Sequence, residues 1–379
     1  MTIAFVGLAG VPYLGRACDP RLAAEANLLS AKNDIIIINR YSSLKTPTLQ
    51  GVQLANNVHV IEIIKRRKTG KFSSALLYVL SVLLEPLCLV HLRMRGKVSY
   101  LHLYTGHYID FVLYWVISRI IGAKTVNDYV EYRTAKGERN LYDKINNYLC
   151  DFKGAHLWDK CISISNFLEE KVVAVKPKIP VIKVTPLCDF PLFDSIEEDV
   201  DITEQYILFC GSAAYFEVVK QIIDAYRASK IRESAKLLLI LSGSDENIRR
   251  VHTYFEKAII RHNLAYNQLI AYYKRAFALM IPLRDTIEDI ARFPNKICEY
   301  TAASGLIVTT NYGEIKYYFK DGVNAVVANE CSTESIAQKL DDVAGGKYDI
   351  LRMKKNCYET GCANFSIEAY RKSLNDFLS

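Results

Sequence analysis

The feature that most constrains this chain is its regular alternation of short apolar runs with helix-patterned segments, beginning at the first residues. Ile3 to Gly7 reads as a buried strand, and Leu8 to Gly15 is a loop holding the breakers Gly10, Pro12 and Gly15. Asp19-Pro20 starts a helix, with Asp19 as its cap and Pro20 at the first helical position, and Leu22, Ala26 and Leu29 follow at helical spacing. Asp34 to Asn39 is then an isoleucine-rich strand. A continuous apolar strand, a helix and another such strand make a βαβ unit, whose parallel sheet must be covered on both faces.

The alternation continues to the C-terminus, and the expected fold class is α/β: two Rossmann-like doubly wound domains with a cleft between them. The chain has 379 residues, half of them apolar, enough for two ordinary cores. The expected domains are 1–190 and 200–362, joined by an acidic, irregular linker over Leu187 to Glu204. A closing amphipathic helix in 363–379, with Ile367, Tyr370, Leu374, Phe377 and Leu378 on one face, completes the chain.

The formal charge of +7 is uneven. Residues 1–190 carry 25 Lys+Arg against 15 Asp+Glu, a net of +10, which leaves −3 for the rest. Only the first half is therefore suited to an anionic partner. The ten cysteines include no CxxC pair and no Cys/His spacing for a metal, and several lie in apolar runs, which fits a reducing cytoplasm. The start Met-Thr-Ile-Ala-Phe-Val-Gly lacks a basic segment and reads as a strand rather than a signal peptide.

After a third strand, Val58 to Ile64, comes the basic cluster Lys65 to Lys68, with Lys71 close behind, and then the apolar stretch Phe72 to Leu92. Glu85 and Pro86 argue against a transmembrane helix. Two readings remain: a helix lying on an anionic membrane surface through Lys65–Lys71 and Phe72–Leu92, or a core helix preceded by a solvated loop. Ser99 to Tyr104 is the next strand, and His107 falls just past its carboxyl end, where open α/β sheets place ligands. A lone histidine is more often structural, and both readings stand. Thr125 to Val130 leads into Glu131-Tyr132-Arg133, a charged cluster at another strand end.

The most telling stretch is Arg292-Phe-Pro-Asn-Lys-Ile-Cys-Glu-Tyr-Thr-Ala-Ala-Ser-Gly-Leu-Ile-Val-Thr-Thr310, followed by Asn311-Tyr-Gly-Glu314. Pro294 suits a first helical turn, Gly305 a left-handed stop, and Leu306 to Thr309 a buried strand. Glu299 then sits early in a helix beside a parallel sheet, where a carboxylate can accept hydrogen bonds from the vicinal hydroxyls of a ribose. On its own such a residue is more often a solvated glutamate on a helix surface.

Taken together, Phe293-Pro-Asn-Lys296, Glu299, the small-residue helix end, the strand and Gly313-Glu314 resemble the donor-binding segment of bacterial family 4 glycosyltransferases, which have the GT-B fold. The resemblance implies that Glu299 holds the ribose of a nucleotide sugar, UDP-linked, and that Pro294, Asn295 and Lys296 stand at the diphosphate. The second glutamate that the family carries eight residues earlier is Ala291 here, and Glu288 and Asp289 are out of register. The Arg and Lys that the family places after the first strand of this domain are also missing. That loop is Gly211-Ser-Ala-Ala-Tyr-Phe-Glu217, so the Gly211 and Ser212 amides at a helix N-terminus, with Lys296, Arg284 and Arg292, are left to meet the phosphates. The resemblance further implies base recognition around Leu264 to Tyr266, Gly10 and Arg16 in the first loop, and His107 and Glu131 as catalytic-side residues facing sugar or acceptor.

The function this implies is retaining, metal-independent transfer to a glycan or lipid-linked acceptor in surface polysaccharide synthesis, in the cytoplasm or on the inner face of the membrane. No cofactor, metal or nucleic-acid partner is expected. The alternatives are a catalytically inactive partner subunit, to which the missing glutamate and cations point, and a nucleotide-sugar epimerase.

Overall fold

The structure is a computed structural model describing residues 1–12, 18–41, 54–64, 71–96, 98–137 and 140–379, with the backbone alone for 71–75. Gly15, Arg16 and Lys65–Lys68 lie outside the described residues, as does the side chain of Lys71. The chain forms two compact units, Met1–Leu187 with Ile367–Ser379, and Cys188–Ser366.

The first unit is built on a seven-stranded parallel sheet: β1 (Thr2–Leu8), β2 (Asp34–Tyr41), β3 (Val58–Ile64), β4 (Val98–Leu103), β5 (Lys124–Tyr129), β6 (Lys160–Ser163) and β7 (Val181–Lys183). Their spatial order is β3-β2-β1-β4-β5-β6-β7, so the winding reverses between β1 and β4. Ile3, Phe5, Ile35 and Ile37 are fully buried, as strands covered on both faces require.

Four helices matter here: α1 (Asp19–Ser30), α2 (Lys71–Arg95), α3 (Tyr108–Ile121) and α4 (Leu141–Lys153). Cys18, not Asp19, occupies the cap position of α1, and Asp19 lies buried inside its first turn. Right-handed crossovers put α2, α3 and α4 on the sheet face opposite α1. The terminal helix Arg371–Phe377 belongs to this unit: Asn375 donates to the Leu28 carbonyl at 2.8 Å, and Leu374 and Leu378 join the core that holds Leu22.

The second unit has six parallel strands: β8 (Tyr206–Ser212), β9 (Lys236–Ser242), β10 (Ile259–Arg261), β11 (Ala278–Ile281), β12 (Ile307–Thr310) and β13 (Val326–Ala328). Their order, β10-β9-β8-β11-β12-β13, reverses between β8 and β11. The segment read as an irregular linker contains a helix, Phe190–Ser195, because Asp189 caps it by accepting from the Leu192 amide and Phe190 and Phe193 bury themselves in this unit. Residues 363–366 also stay with this unit, since the helix Ile350–Phe365 runs on to 365 and Ser366 caps it.

Candidate functional site

In the second unit the helix Lys296–Ala302 carries Glu299. Pro294 stands two residues before it, accepting from the Ile297 amide, and Asn295 is the cap residue, without a side-chain capping bond. The left-handed stop falls on Ser304 (φ 53°), not Gly305. Gly305 is needed for a different reason: a Cβ there would come within 2.2 Å of Leu279 Cδ1 on β11. Behind the helix, Gly361 leaves room for Thr301, whose Oγ1 would lie 2.4 Å from a Cβ at that position.

Glu299 is 9% exposed, and Lys296 Nζ donates to its Oε2 at 2.7 Å. Tyr266 is the first residue of a helix, Tyr266–Arg275, rather than part of a loop, and its hydroxyl donates to Glu299 Oε1 at 3.4 Å. Burial works against the Lys296 charge, yet the Glu299 carboxylate overrides it and holds the ammonium above the usual lysine value. Burial, then Glu299, push the Tyr266 phenol well above its usual value. A carboxylate has about four acceptor positions, so Glu299 retains capacity for a diol beside its two protein donors.

The segment between β11 and that helix, read as a mobile polar loop, contains the helix Ile287–Ala291, organised by the buried Asp289. Asp289 accepts from the Arg284 backbone amide at 2.9 Å, from Arg284 Nε at 2.8 Å, and from Arg292 Nη2. Burial alone would raise its pKa; the bonds from Arg284 and the charge of Arg292 bring it below the usual carboxylate range. Arg284 is thus engaged by Asp289 and Glu288, whereas Arg292 also stands over the Tyr215 ring at 5.4 Å, against the loop that lacks cations of its own.

Gly211 and Ser212 are not at a helix N-terminus. They are the last residues of β8, paired in register with Leu241 and Ser242, and the helix begins only at Phe216. The chain between is tied down by Ala213 N–H on the Ser242 carbonyl and by Ala214 N–H on Ser212 Oγ. A Cβ at Gly211 would stand 2.6 Å from the Phe209 ring, so a larger residue there would have to displace that ring.

In the first unit the carboxyl ends of β1, β2, β4 and β5 surround a cavity of about 280 Å³ at the reversal point of the sheet. Both His107 and Glu131 line it, together with Arg40, Asp110, Asp128 and Arg133. His107 Nδ1 is 3.2 Å from the Tyr142 hydroxyl, and Glu131 pairs with Lys136. Gly10 is not on the wall; the glycines that border the cavity are Gly106 and Gly7 (φ 80°), the latter pressed against Thr105 and Tyr104, while Gly10 sits in a buried turn next to Val11, which exchanges two hydrogen bonds with Asn39.

Two buried ionic networks shape this cavity, and sequence reasoning missed both. Arg40 donates to Glu85 at 2.7 Å, to Asp110 at 2.8 Å and to the Tyr114 hydroxyl at 2.9 Å. Arg21 grips Asp128 with two bonds of 2.8 and 2.9 Å and pairs with Glu25, which faces His102. The Cys150 thiol on the wall is pushed up to about 12 by burial, so it is inert as a nucleophile. Charges of both signs with hydroxyls, in a pocket this size, suit a polyol rather than an apolar ligand. Among the described residues no group of three or more His, Cys, Asp and Glu side chains is placed to hold a metal ion.

Residues 194–360 match the family model described as Glycosyl transferases group 1. These residues are a glycosyltransferase group 1 domain. The enzyme class is accordingly that of a glycosyltransferase, and the chain has the GT-B fold. It superimposes on sucrose-phosphate synthase from Thermosynechococcus elongatus with a TM-score of 0.75 at 13% identity, covering 99% of this chain and 98% of that one. Anabaena HepE, solved in complex with UDP and glucose, gives 0.69 at 10% identity, with 99% and 97% covered. WaaG, a glycosyltransferase involved in lipopolysaccharide biosynthesis, gives 0.65 at 12%, with both chains covered in full. No curated protein matches the chain. The group 1 domain contains every donor-side residue described above, from Gly211 to Glu299.

Proposed function

We propose that the chain is a family 4 enzyme transferring a sugar from a UDP-linked donor, with retention and without a metal, to a glycan acceptor carried on a lipid. The observation that carries this is Glu299: a nearly buried carboxylate inside the group 1 domain, steadied by Lys296 and Tyr266 and keeping acceptor capacity for a ribose diol. Lys296 and Arg292 supply the positive charge that a leaving diphosphate requires. On the acceptor side, His107 and Glu131 share one polar cavity and face the incoming hydroxyl.

The test is thermal-shift titration with UDP, GDP, ADP and their sugar conjugates, since a ligand that binds only the folded state raises the melting temperature. UDP and one UDP-sugar stabilise the protein, and Glu299→Ala weakens that binding by about 5- to 150-fold, the equivalent of roughly 1–3 kcal/mol for unpaired ribose hydroxyls. Unchanged affinity removes the ribose assignment. No shift with any nucleotide favours the second reading, an inactive partner subunit, for which the buried Ala291 and the cation-free loop after β8 speak.

A further inference from the structure

Midway along helix α2 two polar side chains face the protein: Ser81 and Glu85 are fully buried, and the Tyr78 hydroxyl reaches Arg40 at 3.5 Å. Leu89 is fully buried with them, whereas Leu83 is 63% and Leu87 64% exposed, and Met94 near the end of the helix 82%. The 20-residue stretch Leu76–Arg95 is long and apolar enough to cross a membrane, yet only 17% of its most apolar window is buried. The helix is thus only partly covered, and Glu85, tied to Arg40, keeps it packed on the unit.

The exposure continues onto the neighbours. Helix α3 packs beside α2, and α4 beside α3. Ile109, Val116 and Ile120 on α3 and Leu141, Ile145 and Tyr148 on α4 are all exposed. Of the 24 large apolar side chains exposed among the described residues, these three helices hold eight, four and five, or 17. Such concentration on a soluble domain marks an interaction surface.

Charge identifies the partner. On the described side chains of these helices the exposed ionic groups are all cations: Arg93, Arg95, Arg119, Lys144 and Lys153. The carboxylates are turned away, with Glu85, Asp110 and Asp151 buried and Asp143 half-buried. A second copy docked through the same face about a two-fold axis would set cations against cations. An anionic headgroup layer meets both the cations and the apolar side chains, and Trp115, Tyr142 and Tyr148 are residue types suited to its interfacial zone.

We infer that the α2–α3–α4 face lies on a bilayer containing anionic lipid, with the cavity of the first unit opening at that surface. The cavity adjoins this face: Tyr78 of α2 and Asp110 of α3 line it, and His107 at its wall meets Tyr142 of α4. Only the lipid-borne acceptor rests on the proposed function; the docking itself does not.

The test is co-sedimentation of the full chain with vesicles of phosphatidylcholine alone or with about a third phosphatidylglycerol. The protein binds the anionic vesicles, and raised salt weakens the binding. Leu83→Glu/Leu87→Glu lowers it at least about tenfold, and Lys144→Glu/Lys153→Glu by several-fold, while tryptophan fluorescence and the UDP-induced thermal shift stay unchanged. No binding to either vesicle, or equal binding to both, overturns the inference. A dimer in solution that Leu83→Glu/Leu87→Glu dissociates, without vesicle binding, assigns the face to a second copy instead. Vesicle binding without any nucleotide shift removes the transferase reading alone, and the reverse removes the docking alone.

Discussion

Glu85 is the residue on which helix α2 and the cavity both depend. It is fully buried and accepts from Arg40 Nε at 2.7 Å, from the Tyr114 hydroxyl at 2.6 Å and from the Gly7 amide at 3.3 Å. Glu85→Ala leaves all three donors without it, among them the charged and buried Arg40. Removing one partner of a buried ion pair costs about 3–5 kcal/mol, which for a unit of this size is a drop in melting temperature of roughly 6–20 °C. Glu85→Gln retains an acceptor oxygen and costs less. Tyr114→Phe alone costs about 1–2 kcal/mol, and on that background Glu85→Ala costs less than on the wild type, because one orphaned donor no longer exists. The assay is tryptophan fluorescence during thermal unfolding. Both tryptophans, Trp115 and Trp158, lie in the first unit, so the signal reports that unit alone. A melting temperature for Glu85→Ala within about 2 °C of wild type, less than 1 kcal/mol, would refute the network's assigned weight.

Gly361→Ala should destabilise the second unit although it sits in a helix: alanine gains about 1 kcal/mol of helix propensity, but its Cβ would stand 2.4 Å from Thr301 Oγ1 and 2.8 Å from Phe190 Cζ. Overpacking of about 1–3 kcal/mol then exceeds the gain, and calorimetry should show a lower transition with weaker UDP binding, since Thr301 is on the Glu299 helix. Asp289 has its pKa depressed, so the stability it adds is present above the ordinary carboxylate value and lost on acidification. Between about pH 5 and pH 3 the wild type should therefore lose more melting temperature than Asp289→Asn, and parallel curves would contradict the ion-pair assignment.

The parts of this molecule that the sequence makes legible are those written in local pattern. Isoleucine runs in β2, the Leu141–Lys153 helix and the succession of βα units are each decided by residues close together in the chain. The placement of Glu299 in a helix ahead of a buried strand was legible for a similar reason, since helix, lysine and strand lie within fifteen residues. Gly305 shows the limit of such reading. Glycine after a helix suggests a left-handed stop, yet here Ser304 takes that conformation, and the requirement on Gly305 comes from Leu279 on another strand. The same holds for Gly361, whose neighbours Thr301 and Phe190 lie far from it in the chain.

Helix α2 was the hardest element to read, and the reason is physical. Its apolar residues occur on nearly all sides, so composition alone left a core helix and a membrane-surface helix equally compatible with the sequence. What separates them is the direction in which Ser81 and Glu85 point, and that is fixed by Arg40, 45 residues away from Glu85 on β2. Glu85, which argued from sequence against a transmembrane helix, does more than interrupt the apolar run. Its ion pair turns Ser81 and Glu85 inward and leaves Leu83 and Leu87 outward, so one buried contact both shapes the cavity wall through Gly7 and Arg40 and presents the apolar face beside it. Neutralising that contact should therefore disturb the cavity and the exposed face together, a coupling that neither the helix nor the pocket would suggest when considered alone.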